Sequence, residues 1–206
     1  DKLVTGVQTC ALPISLSGGT VVAGLLLYVA CTLAYSLGIK RLPILDGFML
    51  AWLFTVRLGV GILASGAAPS PWLLVFSMFL FASLSFAKRH TEVATVLERG
   101  GTDVRGRGYR TVDLPLILAI GVATGMCAVL ILVLYIIDDA FRQSFYGNAA
   151  WLWGFPAVLF LFISRVWLMC QRGQMDDDPV AFAVKDRPSL ALAGILTLCF
   201  AAAWVG

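Results

Sequence analysis

Four arginines fall within twelve residues, Arg99, Arg105, Arg107 and Arg110, interleaved with glycines in the run Gly100-Gly-Thr-Asp-Val-Arg-Gly-Arg-Gly-Tyr-Arg110. Guanidinium groups grip phosphate oxygens as two-pronged forks. Gly100, Gly101, Gly106 and Gly108 allow tight turns and a close backbone approach to a ligand. The spacing is not that of a P-loop, which needs GxxxxGK followed by Ser or Thr. Just upstream, Lys88-Arg89-His90-Thr91-Glu92 sets two cations beside one carboxylate. Such a cluster can bind phosphate through Lys88 and Arg89 and hold a divalent cation through Glu92. An ordinary Lys88–Glu92 surface pair, four residues apart on a helix, is the plainer account. A basic loop resting on lipid headgroups would explain the arginines equally well.

Other polar residues sit in apolar surroundings. Arg57 follows Asp46 by eleven residues, about 16 Å along a helix axis, which places it deep inside an apolar run. A cation there needs a partner or a wet cavity: a substrate phosphate, a structural ion pair or a snorkelling path to the interface. Arg165 precedes Arg172 by seven residues on nearly the same helical face. Asp176-Asp177-Asp178-Pro179 reads either as a cation site or, for Asp178, as the cap of a short helix over Val180–Lys185. The five cysteines lack metal or disulfide spacing, and His90 is the only histidine. A multi-histidine metal site and the usual histidine triad are therefore not expected.

The elements that must position these groups are six apolar runs, near 20–38, 45–65, 70–87, 113–137, 150–170 and 189–205. Each is long enough, or nearly so, to cross a hydrocarbon core about 30 Å thick. Hydrophobic content of 60% and a mean hydropathy of +0.90 exclude an ordinary soluble domain. Of fifteen Lys and Arg residues, eleven lie after the first, third and fifth runs: Lys40, Arg41, Lys88, Arg89, Arg99, Arg105, Arg107, Arg110, Arg172, Lys185 and Arg187. The alternate loops hold only Arg142. This is the positive-inside pattern of a six-span protein with its basic loops in the cytoplasm. The expected fold class is an all-α, polytopic membrane helical bundle with six transmembrane helices. Its longest loop is expected over 88–112.

Residues Val4–Ile14, VTGVQTCALPI, look like the conceptual translation of a DNA-sequencing adapter. They also lack the basic and apolar regions of a signal peptide. Residues 1–14 are thus expected to be an artefact, and 15–206 part of a longer membrane domain.

Tyr35, Lys40 and Arg41, closing the first run as Tyr-x4-Lys-Arg, resemble the signature after the fourth helix of UbiA-type intramembrane prenyltransferases. The resemblance covers about residues 18–205 and makes the six runs helices four to nine of a nine-helix fold. The aromatic prenyltransferases carry a DxxxD motif in the loop after the third run. Here Lys88-Arg89-His90-Thr91-Glu92 and Gly106-Arg-Gly-Tyr-Arg110 stand instead. That departure resembles the bacterial branch that includes decaprenyl-phosphate phosphoribosyltransferase. Arg165-Val-Trp-Leu168, Arg172-Gly-Gln-Met175 and Asp178-Pro-Val-Ala-Phe182 are similar to the same branch.

The resemblance implies a Mg2+-dependent transferase in the bacterial inner membrane. It would join an isoprenoid or phosphoribosyl group to a lipid or aromatic acceptor and release pyrophosphate. Its partners would be a polyprenyl lipid, a pyrophosphate-containing donor and the membrane, with no nucleic acid. Lys40, Lys88, Arg89, Arg105, Arg107 and Tyr109 would contact phosphate, Glu92 the metal, and Asp46 and Arg57 the cavity wall. The superfamily's first acidic motif, NDxxDxxxD, is absent, so the piece alone is expected to be inactive. A non-catalytic transporter or lipid-binding subunit would also explain the spans and basic loops, but not the combined motifs.

Overall fold

The computed structural model describes residues 19–104, 106–142, 146–175 and 179–205, with the backbone alone at Arg142. The proposed adapter segment, Arg105 and Asp176–Asp178 lie outside the described residues. Among the described residues the chain is all-α without strands; an isolated bridge pairs Asp103 with Arg110. The long helices are α1 (Gly19–Leu37), α2 (Leu45–Ser65), α3 (Pro71–Glu98), α4 (Leu114–Asp138), α5 (Gly154–Gln171) and α7 (Arg187–Val205). A short helix, α6 (Pro179–Lys185), precedes α7. Single 3-10 turns cover Ile39–Arg41, Thr111–Asp113, Ala140–Arg142 and Ala149–Trp153.

Six helices are long and apolar enough to cross a membrane, and the chain is a multi-pass membrane protein. Only helices can satisfy every backbone group within a single lipid-embedded segment, so apolar runs of this length fold this way. Large apolar side chains face outward along them, including Leu26, Leu33, Leu63, Leu130, Leu161 and Leu198. In lipid this outward apolar surface is already in its preferred solvent.

The core lies where α3 meets α4 and α5, around Phe86, Ile117, Ile163, Val166 and Trp167. A Cβ at Gly121 would collide with the Trp167 ring. The glycine therefore lets the indole lie against the α4 backbone, as small residues do at membrane helix interfaces. Trp167 Nε1 donates to Ser83 Oγ at 3.0 Å, and Ser83 Oγ donates to Gly121 O at 2.7 Å. One polar chain thus links three helices inside an apolar core.

The third span differs from its sequence reading. Helix α3 continues through Lys88–Glu92 to Glu98, so the loop starts at Arg99 rather than at residue 88. Nothing from Phe86 to Glu98 is glycine or proline, and Val93 packs into the core. A helix of 28 residues is about 42 Å long and overshoots a 30 Å core by about eight residues. Its charged end therefore emerges into the interface while remaining helical. The helix expected over Val180–Lys185 is present as Pro179–Lys185.

Candidate functional site

The ends of α1, α3 and α5, the start of α2 and the helix α6 all lie on the face that carries the basic loops. There the carboxylate of Asp46, in the first turn of α2, is fully buried at 0% exposure. Arg89 Nε lies 2.8 Å from Asp46 Oδ2. Arg107 Nη1 donates to Oδ1 at 3.2 Å and to Oδ2 at 3.1 Å. Tyr35 Oη donates to Oδ1 at 2.6 Å. Glu92 accepts from Arg89 Nη1, its neighbour one helical turn back, and lies 3.3 Å from Arg107 Nε. Two carboxylates and two guanidiniums thus interlock between α2, α3 and the 99–110 loop. An Asp in so dry a place needs this many donors, because an unpaired buried charge is costly. Burial works against the charge on Arg107, but Glu92 and then Asp46 outweigh it and raise its pKa.

The loop reaches the site by a tight hairpin. Val104 N–H donates to Tyr109 O at 3.0 Å, and Arg107 N–H donates to Val104 O at 3.2 Å. A Cβ at Gly108 would strike Arg41 O and come within 2.9 Å of the Pro43 ring. Glycine there lets the hairpin lie against the turn between α1 and α2. Tyr109 is buried, and its Oη accepts the Ile44 N–H at 2.8 Å. Ile44 sits at φ 68°, a left-handed conformation unfavourable for a β-branched residue. Tyr109 therefore pins the strained entry into α2 that places Asp46. Burial pushes the Tyr109 phenol above its ordinary pKa, against the opposing pull of the Ile44 N–H.

Beside the network opens a cavity of about 380 Å3. Tyr35, Lys88, Arg89 and Arg107 line one part; Leu50, Phe54, Phe81 and Leu84 line another, and Pro179 and Val180 of α6 complete the rim. Phe54 and Phe81 stack with centroids 4.8 Å apart. One end is cationic and the other aromatic, a shape suited to an anionic head with an apolar tail.

Of the residues expected at the site, Lys88, Arg89 and Arg107 share the cavity, and Glu92 joins their network. Glu92 pairs with Arg89 and Arg107, and no ion pair to Lys88 is present among the described residues. Tyr109 holds the α2 entry and is not part of the cavity lining. Lys40 lies half-buried in the Ile39–Arg41 turn, away from the lining. Asp46 is the hub of the site. Arg57 does not meet it; eleven residues on one helix separate them, and Arg57 donates to Tyr28 on α1. Arg105 lies outside the described residues.

Sequence reasoning missed Tyr35 as a site residue, although its place in the Tyr-x4-Lys-Arg run was a usable signal. It also missed the pairing of Arg165 on α5 with Asp186. Arg165 Nε donates to Asp186 Oδ2 at 2.6 Å and Nη2 to Oδ1 at 2.7 Å. Asp186 Oδ2 also accepts from Ser189 N at 3.0 Å and Ser189 Oγ at 2.6 Å. This carboxylate caps α7 and ties it to α5. The Arg165 hydrogen bonds hold its pKa well below the usual carboxylate range.

Among the described residues, Asp46 and Glu92 do not by themselves fit a Mg2+ site. No group of three or more His, Cys, Asp or Glu residues is placed to hold a metal among the described residues. Asp46 and Glu92 are already taken up by arginines.

The chain is similar to the uncharacterized protein y4nM of Sinorhizobium fredii, with 36% identity over 173 residues, 84% of this chain and 34% of y4nM. It is also similar to the nodulation protein NoeC of Azorhizobium caulinodans, with 31% identity over 198 residues, 91% of this chain and 63% of NoeC. The chain thus spans about a third of the first relative's length and under two thirds of the second's. No family model matches it.

Proposed function

We propose that this chain is the six-span part of a membrane-embedded transferase of the UbiA type. In this reading it transfers an isoprenoid or phosphoribosyl group to a lipid or aromatic acceptor with release of pyrophosphate. The supporting observation is the two-ended cavity: Lys88, Arg89 and Arg107 at one end and Phe54, Phe81, Leu50 and Leu84 at the other. Among the described residues, these three cations face two carboxylates, Asp46 and Glu92, a balance of one positive charge for an anionic ligand. Among the described residues Lys88 makes no ion pair, and a lysine ammonium adapts its donors more readily than an arginine already fixed in two pairs. Cationic donors beside an aromatic wall would stabilise a departing pyrophosphate while excluding water from the carbon it leaves. A pyrophosphate donor would bring Mg2+ with it.

We place the protein in the bacterial inner membrane with its basic loops cytoplasmic, following their alternation. The relative named for nodulation points to a process and not to a chemistry. The test compares binding of a fluorescent polyprenyl phosphate and the matching neutral polyprenol to the protein in lipid nanodiscs. The phosphate is expected to bind better, with Lys88→Ala weakening it about tenfold, as loss of a charged hydrogen bond does. Equal binding of the two lipids sinks the reading. Phosphate-selective binding without transfer by the full-length gene product leaves the non-catalytic lipid-binding subunit instead.

A further inference from the structure

From Arg57 we infer an interaction surface: the exposed face of α2 beside α1 receives a further membrane-spanning helix that carries an Asp or Glu near its middle. Arg57 is exposed, and its Nη2 donates to Tyr28 Oη. Its guanidinium also lies 5.3 Å from the Tyr28 ring centroid and 5.5 Å from that of Phe54. Tyr28 is nine residues from either end of α1, about 14 Å from each. The phenol therefore holds the cation at mid-membrane depth instead of letting it snorkel to the interface. A hydroxyl and two ring faces attract a cation but do not neutralise it. A charge facing lipid at that depth is costly, and charged residues inside membranes pair with others. No carboxylate pairs with Arg57 among the described residues.

The partner is not a second copy of these helices. Their acidic residues all stand toward helix ends: Asp46, Glu92, Glu98, Asp113 and Asp138. No described span carries an Asp or Glu at its middle, so the counter-charge belongs to a different helix. There is room for it: a Cβ added at Gly61, one turn beyond Arg57, meets nothing within 4 Å.

The experiment places a photo-crosslinking benzoylphenylalanine at Gly61 in the full-length gene product in its own membrane and identifies the crosslinked peptide by mass spectrometry. The expected adduct is a membrane-spanning peptide with a mid-span Asp or Glu. Its yield should fall about tenfold in Arg57→Leu and persist in Arg57→Lys. It should recover when Arg57→Glu is combined with a Lys in place of the partner's carboxylate. Adducts with lipid alone, with a second copy, or with a helix lacking a carboxylate overturn the inference. So does an unchanged yield in Arg57→Leu. Absence of recovery in the charge swap overturns it as well, and this arm separates lost pairing from a variant that fails to fold.

Discussion

At the scale of single residues, Asp46 decides whether the cationic end of the cavity exists. Its carboxylate is fully buried and receives Tyr35, Arg89 and Arg107. Arg89 is itself only 2% exposed, so without Asp46 its charge would rest on Glu92 alone. Removing one partner of a buried pair costs on the order of 3–5 kcal/mol, far more than the pair contributes over an apolar substitute. Asp46→Asn should therefore lower the thermal stability of the purified protein in detergent by about that much. Tyr35→Phe, which removes one hydrogen bond, should cost about 1 kcal/mol. Equal small losses in the two variants would show that Arg89 is satisfied without Asp46. The sequence marked Asp46 only as a wall residue because its three partners lie 11, 43 and 61 positions away. Arg89, by contrast, stood out locally as part of a charged cluster.

At the scale of elements, the spans and their ends were legible to within a few residues, except where α3 runs on to Glu98. A lipid-facing helix must be apolar for its whole length, so composition alone marks it. The charged tail of α3 reads as loop by the same criterion, yet it stays helical because Asp46 and Arg107 from other elements complete its ion network. Interhelical contacts are equally hidden: Ser83 looks like any small residue, but it joins Trp167 to Gly121. Ser83→Ala should cost about 1 kcal/mol, near the range measured for membrane hydrogen bonds, in reversible unfolding in mixed micelles. The Arg165–Asp186 pair gives the end of the bundle a pH dependence. Asp186 titrates below its unfolded value, near 3.9 for an Asp. Its stabilising contribution is then complete above about pH 4 and lost as pH falls toward the folded value. Unfolding curves from pH 6 to pH 3 should show this loss in the native chain but not in Asp186→Asn. A slope that survives the substitution would assign it to another carboxylate.

At the scale of the whole molecule, chain path and charge make a single statement about sidedness. Six crossings place the hairpin after α3, the α1–α2 turn and α6 on one face, and the 66–70 turn with residues 139–142 and 146–148 on the other. The network and its cavity belong to the first face, so an anionic lipid or water-soluble donor would have to enter from the basic side. Cationic loops resist translocation, which is why their alternation reports orientation even where the helices are nearly uniform in hydropathy. Asp103, in the hairpin, and Ala67, between α2 and α3, are both exposed, so each tolerates a probe. In intact cells a membrane-impermeant maleimide should label Ala67→Cys at once and Asp103→Cys only after permeabilisation. The reverse order would invert the orientation while keeping the fold. Labelling of both from one side would mean that an odd number of crossings does not separate them, and the path through α3 would have to be redrawn.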